Sequence, residues 1–367
     1  MKYYVIAGEA SGDLHGANLM KQLKVVDSNA EFKFWGGDLM SEIGGKPIKH
    51  IKELAFMGFI EVVQNLRTIS KNFKICKETL LEYKPDALIL IDYPGFNLRM
   101  AKFAKENGIK VFYYISPQVW AWKKKRVFKI KKYVDEMYVI LPFEKDFYNE
   151  YDYKVDFVGH PLLDAIENRK GNEKFRKENN LSDSPIIALL PGSRNQEISV
   201  KLPIMLSVVD KFPGYQFVIA GAPSQEASFY QQFINKDNVK LVENVTYDLL
   251  ENSTAALVTS GTATLETALF NVPEVVCYKG SNISYQIAKR IINVKYISLV
   301  NLIMDREVVT ELIQNELNTK NLITELNKLL NESTRKELLK EYDLLHNNLG
   351  GIGASKRTAE LMFKALN

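Results

Sequence analysis

The sequence predicts an α/β protein of two Rossmann-like domains, whose parallel sheets face a cleft, with a helical C-terminal tail. Short apolar runs alternate with helical segments, and the same alternation begins again at residue 186. Strands separated by helices are typical of doubly wound parallel sheets. The chain has 367 residues, enough for two domains, and its 46% hydrophobic content is that of an ordinary globular protein.

Eight apolar runs are too short for helices and are bounded by turn residues, so we expect buried parallel strands. They lie at residues 3–7, 87–91, 110–115 and 137–141, then at 186–190, 216–220, 255–258 and 274–278. The polar stretch 168–184 separates the two sets, which places the domains at 1–165 and 166–345. The tail from about residue 318 is predicted to be helical, with a break at the glycines between 350 and 353.

Charge and composition limit the partners. A net charge of +4 is too small to indicate nucleic acid. A basic run is either a solvated helix face or a surface for anionic headgroups; it comprises Lys123, Lys124, Lys125, Arg126, Lys129, Lys131 and Lys132. No apolar run approaches the ~20 residues that span a bilayer. No signal-peptide core precedes Gly8. We therefore expect any membrane contact to be peripheral.

Several common chemical motifs are missing from the sequence. Cys76 and Cys277 lie far apart, which suits a reducing compartment. No G-x-G-x-x-G follows a strand, and no P-loop, H-E-x-x-H, C-x-x-C or D-x-D occurs. We therefore predict no metal and no cofactor, and protein groups must neutralise any bound phosphate.

Two strand-to-helix turns in the second domain suit phosphate. Gly192, Ser193 and Arg194 follow one strand, where backbone N–H groups, the helix dipole and a guanidinium can bind an anion. Ser260, Gly261 and Thr262 follow another strand and can cap a helix and bind phosphate; Glu266, one turn later, can accept ribose hydroxyls. The alternatives are an ordinary turn with a surface arginine, and a plain N-cap with an acidic first turn.

Carboxylates follow two strands of the first domain. Asp92 comes directly after residues 87–91 and can deprotonate an attacking hydroxyl, or form an Asx-turn before Pro94. The glycine-rich loop 8–16 brings polar groups to the end of the first strand; its candidate cleft residues are Glu9, Ser11, Asp13 and His15. Asp13 can instead be a helix N-cap.

Two apolar features admit both a structural and a surface role. Trp120 and Trp122 can bind a sugar face, sit at a membrane interface or belong to the core. An apolar stripe at helical spacing is either core or a surface that dips into acyl chains. The candidates for membrane or acyl contact are Met57, Phe59, Ile60, Val62, Val63 and Leu66, with Phe56, Ile69 and Phe73 nearby.

Together these segments resemble the lipid-A-disaccharide synthases of Gram-negative bacteria, from residue 3 to about residue 313. The matching segments are 8–13, 56–62, 91–94, 116–122, 125–130, 141–144, 158–160, 189–194, 260–266, 288–290 and 298–302. The set is highly specific, although single segments are not. One departure is Gly95, where well-known members carry an acidic residue.

The resemblance implies a GT-B fold and an inverting transfer of 2,3-diacylglucosamine from UDP to the 6-hydroxyl of 2,3-diacylglucosamine 1-phosphate (lipid X). It implies that Asp92 is the base, that Arg194 and Asn301 lie at UDP-binding positions, and that Glu9 lies on the acceptor side. It also implies that a helix at about 345–367 rejoins the first domain. The enzyme would be cytoplasmic and peripheral on the anionic cytoplasmic face of the inner membrane, with a homodimer as an open alternative.

Two rival functions remain open from the sequence. A UDP-N-acetylglucosamine 2-epimerase on the same fold needs paired acid–base residues and no lipid. A non-catalytic nucleotide-sugar or lipid-binding protein would not release UDP when lipid X is added. The wide apolar stripe favours the lipid enzyme over both.

Overall fold

A computed structural model describes residues 1–54, 66–122, 124–167, 169–281, 285–286, 290 and 294–367, and the side chain of Leu66 is outside this description. The chain divides into two compact units. Unit 1 comprises residues 1–167 and 349–367, and unit 2 comprises residues 168–348. The last helix therefore belongs to the same unit as the first strand.

Unit 1 is built on a seven-stranded sheet in which all paired strands are parallel. Its strands are β1 (Lys2–Ala7), β2 (Glu31–Gly36), β3 (Lys49–His50), β4 (Ala87–Ile91), β5 (Lys110–Tyr114), β6 (Glu136–Val139) and β7 (Asp156–Phe157). Their order across the sheet is β3-β2-β1-β4-β5-β6-β7. Every residue of β4 is buried, because a central parallel strand is covered on both faces.

Helices cover the sheet of unit 1 and complete its core. They are α1 (Ala10–Val26), α2 (Asp38–Gly44), α3 (Leu66–Tyr83), α4 (Pro94–Glu106), α5 (Val119–Trp122), α6 (Val127–Tyr133), α7 (Glu144–Asn149) and α8 (Pro161–Glu167). The C-terminal helix of the chain also belongs to this unit. Its Ala359 and Met362 share one hydrophobic cluster with Leu19 of α1 and Val5 of β1.

Unit 2 repeats the plan with six parallel strands. They are β8 (Ile186–Leu190), β9 (Gln216–Gly221), β10 (Val239–Glu243), β11 (Ser253–Thr259), β12 (Glu274–Tyr278) and β13 (Thr310–Ile313), in the order β10-β9-β8-β11-β12-β13. Among the described residues of unit 2, the helices are α9 (Phe175–Glu178), α10 (Asn195–Leu206), α11 (Ala227–Gln231), α12 (Thr246–Glu251), α13 (Thr262–Leu269), α14 (Leu299–Met304), α15 (Thr319–Leu329) and α16 (Glu332–Asn348). Helix α17 (Ala354–Leu366) ends the chain in unit 1.

The prediction of two parallel-sheet α/β domains with a helical C-terminal tail is confirmed. The predicted runs 87–91, 186–190 and 274–278 match strands β4, β8 and β12. Helix α10, which follows β8, ends at Leu206. Among the residues that the structure describes, no helix has both the length and the apolar character needed to cross a bilayer.

Candidate functional site

Each sheet has one switch point, where neighbouring strands feed connections that run in opposite directions. In unit 1 it lies between β1 and β4, and in unit 2 between β8 and β11. In open parallel sheets, ligands bind outside the carboxyl ends of the strands at this point. The loops after these four strands hold several of the residues that the sequence singled out, including Glu9, Asp92, Arg194 and Gly261.

The loop after β4 holds Asp92 in a strained conformation. Asp92 and Tyr93 have φ angles of 42° and 48°, in the left-handed region that non-glycine residues rarely adopt. The Asp92 carbonyl accepts hydrogen bonds from Asn97 Nδ2 at 2.8 Å and from Tyr113 Oη. Helix α4 begins at Pro94, whose fixed φ suits a first helical turn. The strain is therefore held in place by buried neighbours on α4 and β5.

The Asp92 carboxyl group has a pKa raised to about 6. Burial is the main cause, repulsion by Glu9 adds to it, and the Tyr93 backbone N–H acts in the opposite direction. Gly8 allows this arrangement, since a Cβ there would lie 2.4 Å from the Tyr93 ring. The structure thus brings the predicted Glu9 and Asp92 together. A carboxylate with a pKa near neutrality in this position has the properties of a general base.

The structure corrects the role expected for Asp13. Its carboxylate accepts hydrogen bonds from the backbone N–H groups of Gly37 at 2.6 Å, Leu39 at 3.0 Å and Met40 at 3.1 Å. Asp13 therefore holds the start of α2, and it neither caps its own helix nor leaves its carboxylate for a ligand. Ser11, in the first turn of α1, is exposed.

The prediction that His15 is a cleft residue is also wrong, because His15 lies in the interior of unit 1. Burial lowers the pKa of His15 to about 4 and that of His160 to about 3. Within the described part of the chain, His15 Nδ1 has no hydrogen-bond partner. The nearby Asp164 accepts from the backbone N–H groups of Gly353 and Ser355 at the start of α17. His15 is thus a neutral core residue beside α17.

Of the three roles that the sequence allowed for Trp120, the structure supports the core position. Its ring packs edge-on against Phe143, and its Nε1 donates to Glu144 Oε1 at 3.3 Å. Glu144 also accepts from the backbone N–H groups of Leu141 and Ile140, while burial raises its pKa to about 7. Trp122 is about half exposed. The predicted sugar or membrane contact of Trp120 is therefore corrected to a buried structural contact.

In unit 2 the loop after β8 places a guanidinium at the start of α10. Gly192 has a φ of +114°, and Arg194 is the N-cap residue. Arg194 is 65% exposed, and its Nη1 lies 3.3 Å from Glu197 Oε1. The Ser193 carbonyl accepts from Ser224 and Gln225, which fixes the loop. This loop presents a positive charge and a helix start to an anion.

The loop after β11 leaves the start of α13 open. Gly261 is the N-cap residue, no side chain caps this helix, and a Cβ on Gly261 would meet open space. The expected capping role of Ser260 is wrong, because its hydroxyl donates to the Ile297 carbonyl at 2.7 Å. Thr262 is exposed. Glu266 accepts from Tyr247 Oη at 2.8 Å, and burial raises its pKa.

The UDP-binding position expected for Asn301 is corrected, because its side-chain amide makes all of its hydrogen bonds inside unit 2. Its Nδ2 donates to the Val309 carbonyl and to Glu311 Oε1, both at 2.9 Å. Its Oδ1 accepts from the backbone N–H groups of Val308 at 2.7 Å and Val309 at 3.0 Å. The side chain is completely buried. In this conformation Asn301 supports the loop before β13 and does not present its amide to a nucleotide.

Sequence reasoning missed Lys201, a buried lysine that donates to Thr259 Oγ1 at the end of β11. Its distance from Glu197 Oε2 is 3.9 Å. A signal was present, since Arg194, Glu197 and Lys201 follow one another at spacings of three and four, which place them on one helix face. The described residues contain no His, Cys, Asp and Glu group suited to a metal ion.

Of the predicted apolar contact residues, Met57, Phe59, Ile60, Val62 and Val63 lie outside the described residues, as does the side chain of Leu66. A basic groove of about 570 Å³ lies among helices α3, α4 and α6 of unit 1. It is lined by Lys77, Arg99, Lys102, Lys129 and Lys132, with Leu98, Phe103, Glu106, Phe128 and Tyr133. Phe128 is 61% exposed. The basic run thus contributes to a surface that is both cationic and aromatic.

Known structures share the fold at low sequence identity. A UDP-GlcNAc 2-epimerase from Neisseria meningitidis, solved bound to UDP-GlcNAc, is 17% identical with a TM-score of 0.69, and the match covers 99% of this chain and 100% of that chain. The glycotransferase of kitacinnamycin is 12% identical with a TM-score of 0.68, covering 100% of this chain and 99% of that chain. These likenesses show the fold alone.

Sequence comparison shows the family. Residues 3–363 match the family model described as lipid-A-disaccharide synthetase. The lipid-A-disaccharide synthase of Trichlorobacter lovleyi is 40% identical over 98% of this chain and 96% of that protein. The synthase of Syntrophus aciditrophicus is 40% identical over 97% of this chain and 95% of that protein. The chain therefore belongs to the lipid-A-disaccharide synthase family of glycosyltransferases.

Proposed function

We propose that this enzyme condenses UDP-2,3-diacylglucosamine with 2,3-diacylglucosamine 1-phosphate, giving the β-1,6-linked disaccharide 1-phosphate and UDP. Family membership supports the reaction class. The observation that carries the assignment within the site is Asp92, a carboxyl group with a pKa of about 6 at the switch point of unit 1. A transfer to a sugar hydroxyl requires such a base.

The donor diphosphate binds at the switch point of unit 2 in this proposal. Arg194 supplies the guanidinium, and Gly192 and Ser193 supply a loop that leads into α10. The open start of α13, with Ser260, Gly261 and Thr262, gives a second set of backbone N–H groups. Glu266 can accept a ribose hydroxyl beside its hydrogen bond from Tyr247. Asn301 supports this region from the interior.

The chemistry is one in-line displacement with inversion. The 6-hydroxyl oxygen of the acceptor bonds to the anomeric carbon as the bond from that carbon to the β-phosphate oxygen breaks. The hydroxyl proton passes to Asp92, and the electron pair of the broken bond stays on UDP. Charge then grows on the diphosphate, so Arg194 and the helix starts stabilise the transition state more than the bound substrate. Burial, together with the negative charge of Glu9, raises the pKa of Asp92 and so keeps it basic enough to accept the proton.

The lipid substrates imply that the enzyme works at a membrane surface. The basic groove lined by Lys77, Arg99, Lys102, Lys129 and Lys132, with the exposed Phe128, suits an anionic leaflet. We place the enzyme on the cytoplasmic face of the inner membrane of a Gram-negative bacterium. Flotation with vesicles of anionic and neutral phospholipid tests this placement, and equal binding to both would contradict it. The proposal also includes a homodimer, which light scattering tests.

Mass spectrometry of the reaction products tests the activity. The enzyme is incubated with UDP-2,3-diacylglucosamine and lipid X, with and without EDTA, and we expect the disaccharide 1-phosphate in both samples. UDP release should depend on lipid X, which a binding protein would not show. As the control for the epimerase alternative, UDP-N-acetylglucosamine alone should yield no manno epimer. Formation of that epimer, or the absence of disaccharide, would reject the assignment.

A further inference from the structure

A lysine ammonium lies buried beneath the loop that follows β8. Lys201, in the second turn of α10, is 3% exposed, and its Nζ donates to Thr259 Oγ1. Burial lowers the pKa of Lys201, whereas the Glu197 carboxylate acts in the opposite direction. A charge removed from water is unfavourable unless it is paired. Unlike a surface lysine, Lys201 therefore needs a nearby negative charge to stabilise its ammonium in the interior.

Glu197 lies between two cations on one face of α10. Its Oε2 is 3.9 Å from Lys201 Nζ, and its Oε1 is 3.3 Å from Arg194 Nη1. A Cβ on Gly192 would lie 2.5 Å from Glu197 Oε2 and 3.5 Å from Lys201 Nζ. The Glu197 carboxylate and the Lys201 ammonium thus lie directly against the backbone of Gly192, in the loop after β8. The series runs from the buried Lys201 to the exposed Arg194.

The charges of Arg194, Glu197 and Lys201 act on any anion that binds at the loop after β8. With Arg194 as its sole partner, the Glu197 carboxylate would compete with a diphosphate for the guanidinium and repel the incoming charge. Such interactions are strong over a few ångströms when water is partly excluded. Lys201 adds a second positive charge on the side of Glu197 that faces the interior. Two cations and one carboxylate leave the loop with a net positive charge.

We propose that Lys201 is a positioning residue of the diphosphate site. Its ammonium offsets the charge of the Glu197 carboxylate, which leaves the positive charge of Arg194 available to the diphosphate, and its hydrogen bond to Thr259 joins α10 to the end of β11. Lys201 does not itself contact the substrate, since it acts through Glu197 and Arg194. The inference rests on the proposed function, because it requires a UDP-sugar at these loops.

Substitution of the lysine by an apolar residue of similar length tests the proposal. In Lys201→Met the unopposed Glu197 should raise the Kd of UDP, measured by calorimetry on the full chain, by about 10-fold. The KM for the UDP-sugar should rise in parallel while kcat changes little. Lys240→Met, on the exposed edge strand β10 of the same unit, is the matched control and should bind UDP as the wild type does. A Kd within twofold of the wild type in Lys201→Met would overturn the proposal.

A second substitution separates charge balance from simple packing. Lys201→Met combined with Glu197→Gln should recover most of the lost UDP affinity, because the unopposed carboxylate is gone. Glu197→Gln alone should bind UDP at least as tightly as the wild type, a readout that remains if Lys201→Met fails to fold. Weaker binding in Glu197→Gln, or no recovery in the double variant, would contradict the proposal. A wild-type enzyme that does not bind UDP would instead reject the proposed function.

Discussion

In unit 1 the loops at the switch point carry the carboxylates of Glu9 and Asp92, whereas in unit 2 they carry Arg194 and the open start of α13. The two sheets share their parallel topology around the switch point. Topology fixes where a ligand can bind, and in the proposed function the loop residues decide whether the position accepts a proton or an anion. The substitutions below test this division of roles.

Removing the base should have the largest effect. Asp92→Asn cannot accept the acceptor proton, so kcat should fall at least ~100-fold. The variant should be no less stable at pH 7, because the buried carboxylate and its repulsion by Glu9 are both removed. Steady-state kinetics and thermal unfolding measure both effects. Asp86→Asn, at the exposed amino end of the same strand, is the matched control. A near-wild-type rate in Asp92→Asn would exclude Asp92 as the base.

Removing the guanidinium should have the next largest effect. Arg194→Ala loses a charge-assisted contact with the diphosphate, so kcat/KM for the UDP-sugar should fall by about 10- to 100-fold. Stability should change little, since Arg194 is largely exposed. Arg306→Ala, an exposed arginine elsewhere in unit 2, should keep full activity. Equal activity in the two variants would contradict the proposal that the Arg194 guanidinium binds the diphosphate.

The pH dependence of the rate sharpens the role of unit 1. The base must be ionised, so kcat/KM should rise with pH through about 6, the pKa of Asp92. Glu9→Gln removes a negative charge that raises this pKa, so the midpoint should move to lower pH. Glu31→Gln, at the amino end of β2, should leave the profile unchanged. A midpoint that rises in Glu9→Gln would show that Glu9 acts on a different group.

The smallest expected effect concerns Gly95, in the first turn of α4. A Cβ at Gly95 meets open space, so Gly95→Asp should fold normally. A carboxylate at a helix start is favourable by roughly 0.3–1 kcal/mol. Denaturant unfolding should therefore show a small gain in stability over Gly95→Asn, which has the same shape and no charge. A clear loss of stability would mean that the loop cannot accept an acidic residue at this position.

The sequence was sufficient for the strands that lie at the centre of each sheet. β4 and β8 are continuous apolar runs, and β12 is apolar after Glu274, because both faces of a parallel strand inside the sheet are buried. The strands that were missed are β2, β3, β7, β10 and β13, and all of these except β2 are edge strands. β3 and β7 have only two residues each, and only Val239 and Val242 of the five residues of β10 are buried. An edge strand is partly solvated, so its sequence carries a weaker apolar signal.

Candidate residues could be assigned to loops, but the direction of each side chain could not. Asp13 and His15 lie on the first helix turns after β1, and the structure turns both into interior contacts. The side chain of Asn301 likewise forms hydrogen bonds with the backbone of the loop before β13. Such partners lie far away in sequence or depend on loop conformation. The burial of Lys201 was invisible for the same reason, although its helical spacing from Arg194 was available.

Helix α17 affects how the chain folds during synthesis. Unit 1 needs this helix to cover α1, yet all of unit 2 is translated between them. The first unit to emerge from the ribosome is therefore the last that can complete its core. A nascent chain that stops at residue 348 should contain a folded unit 2 and a unit 1 whose α1 face remains open to chaperones and proteases.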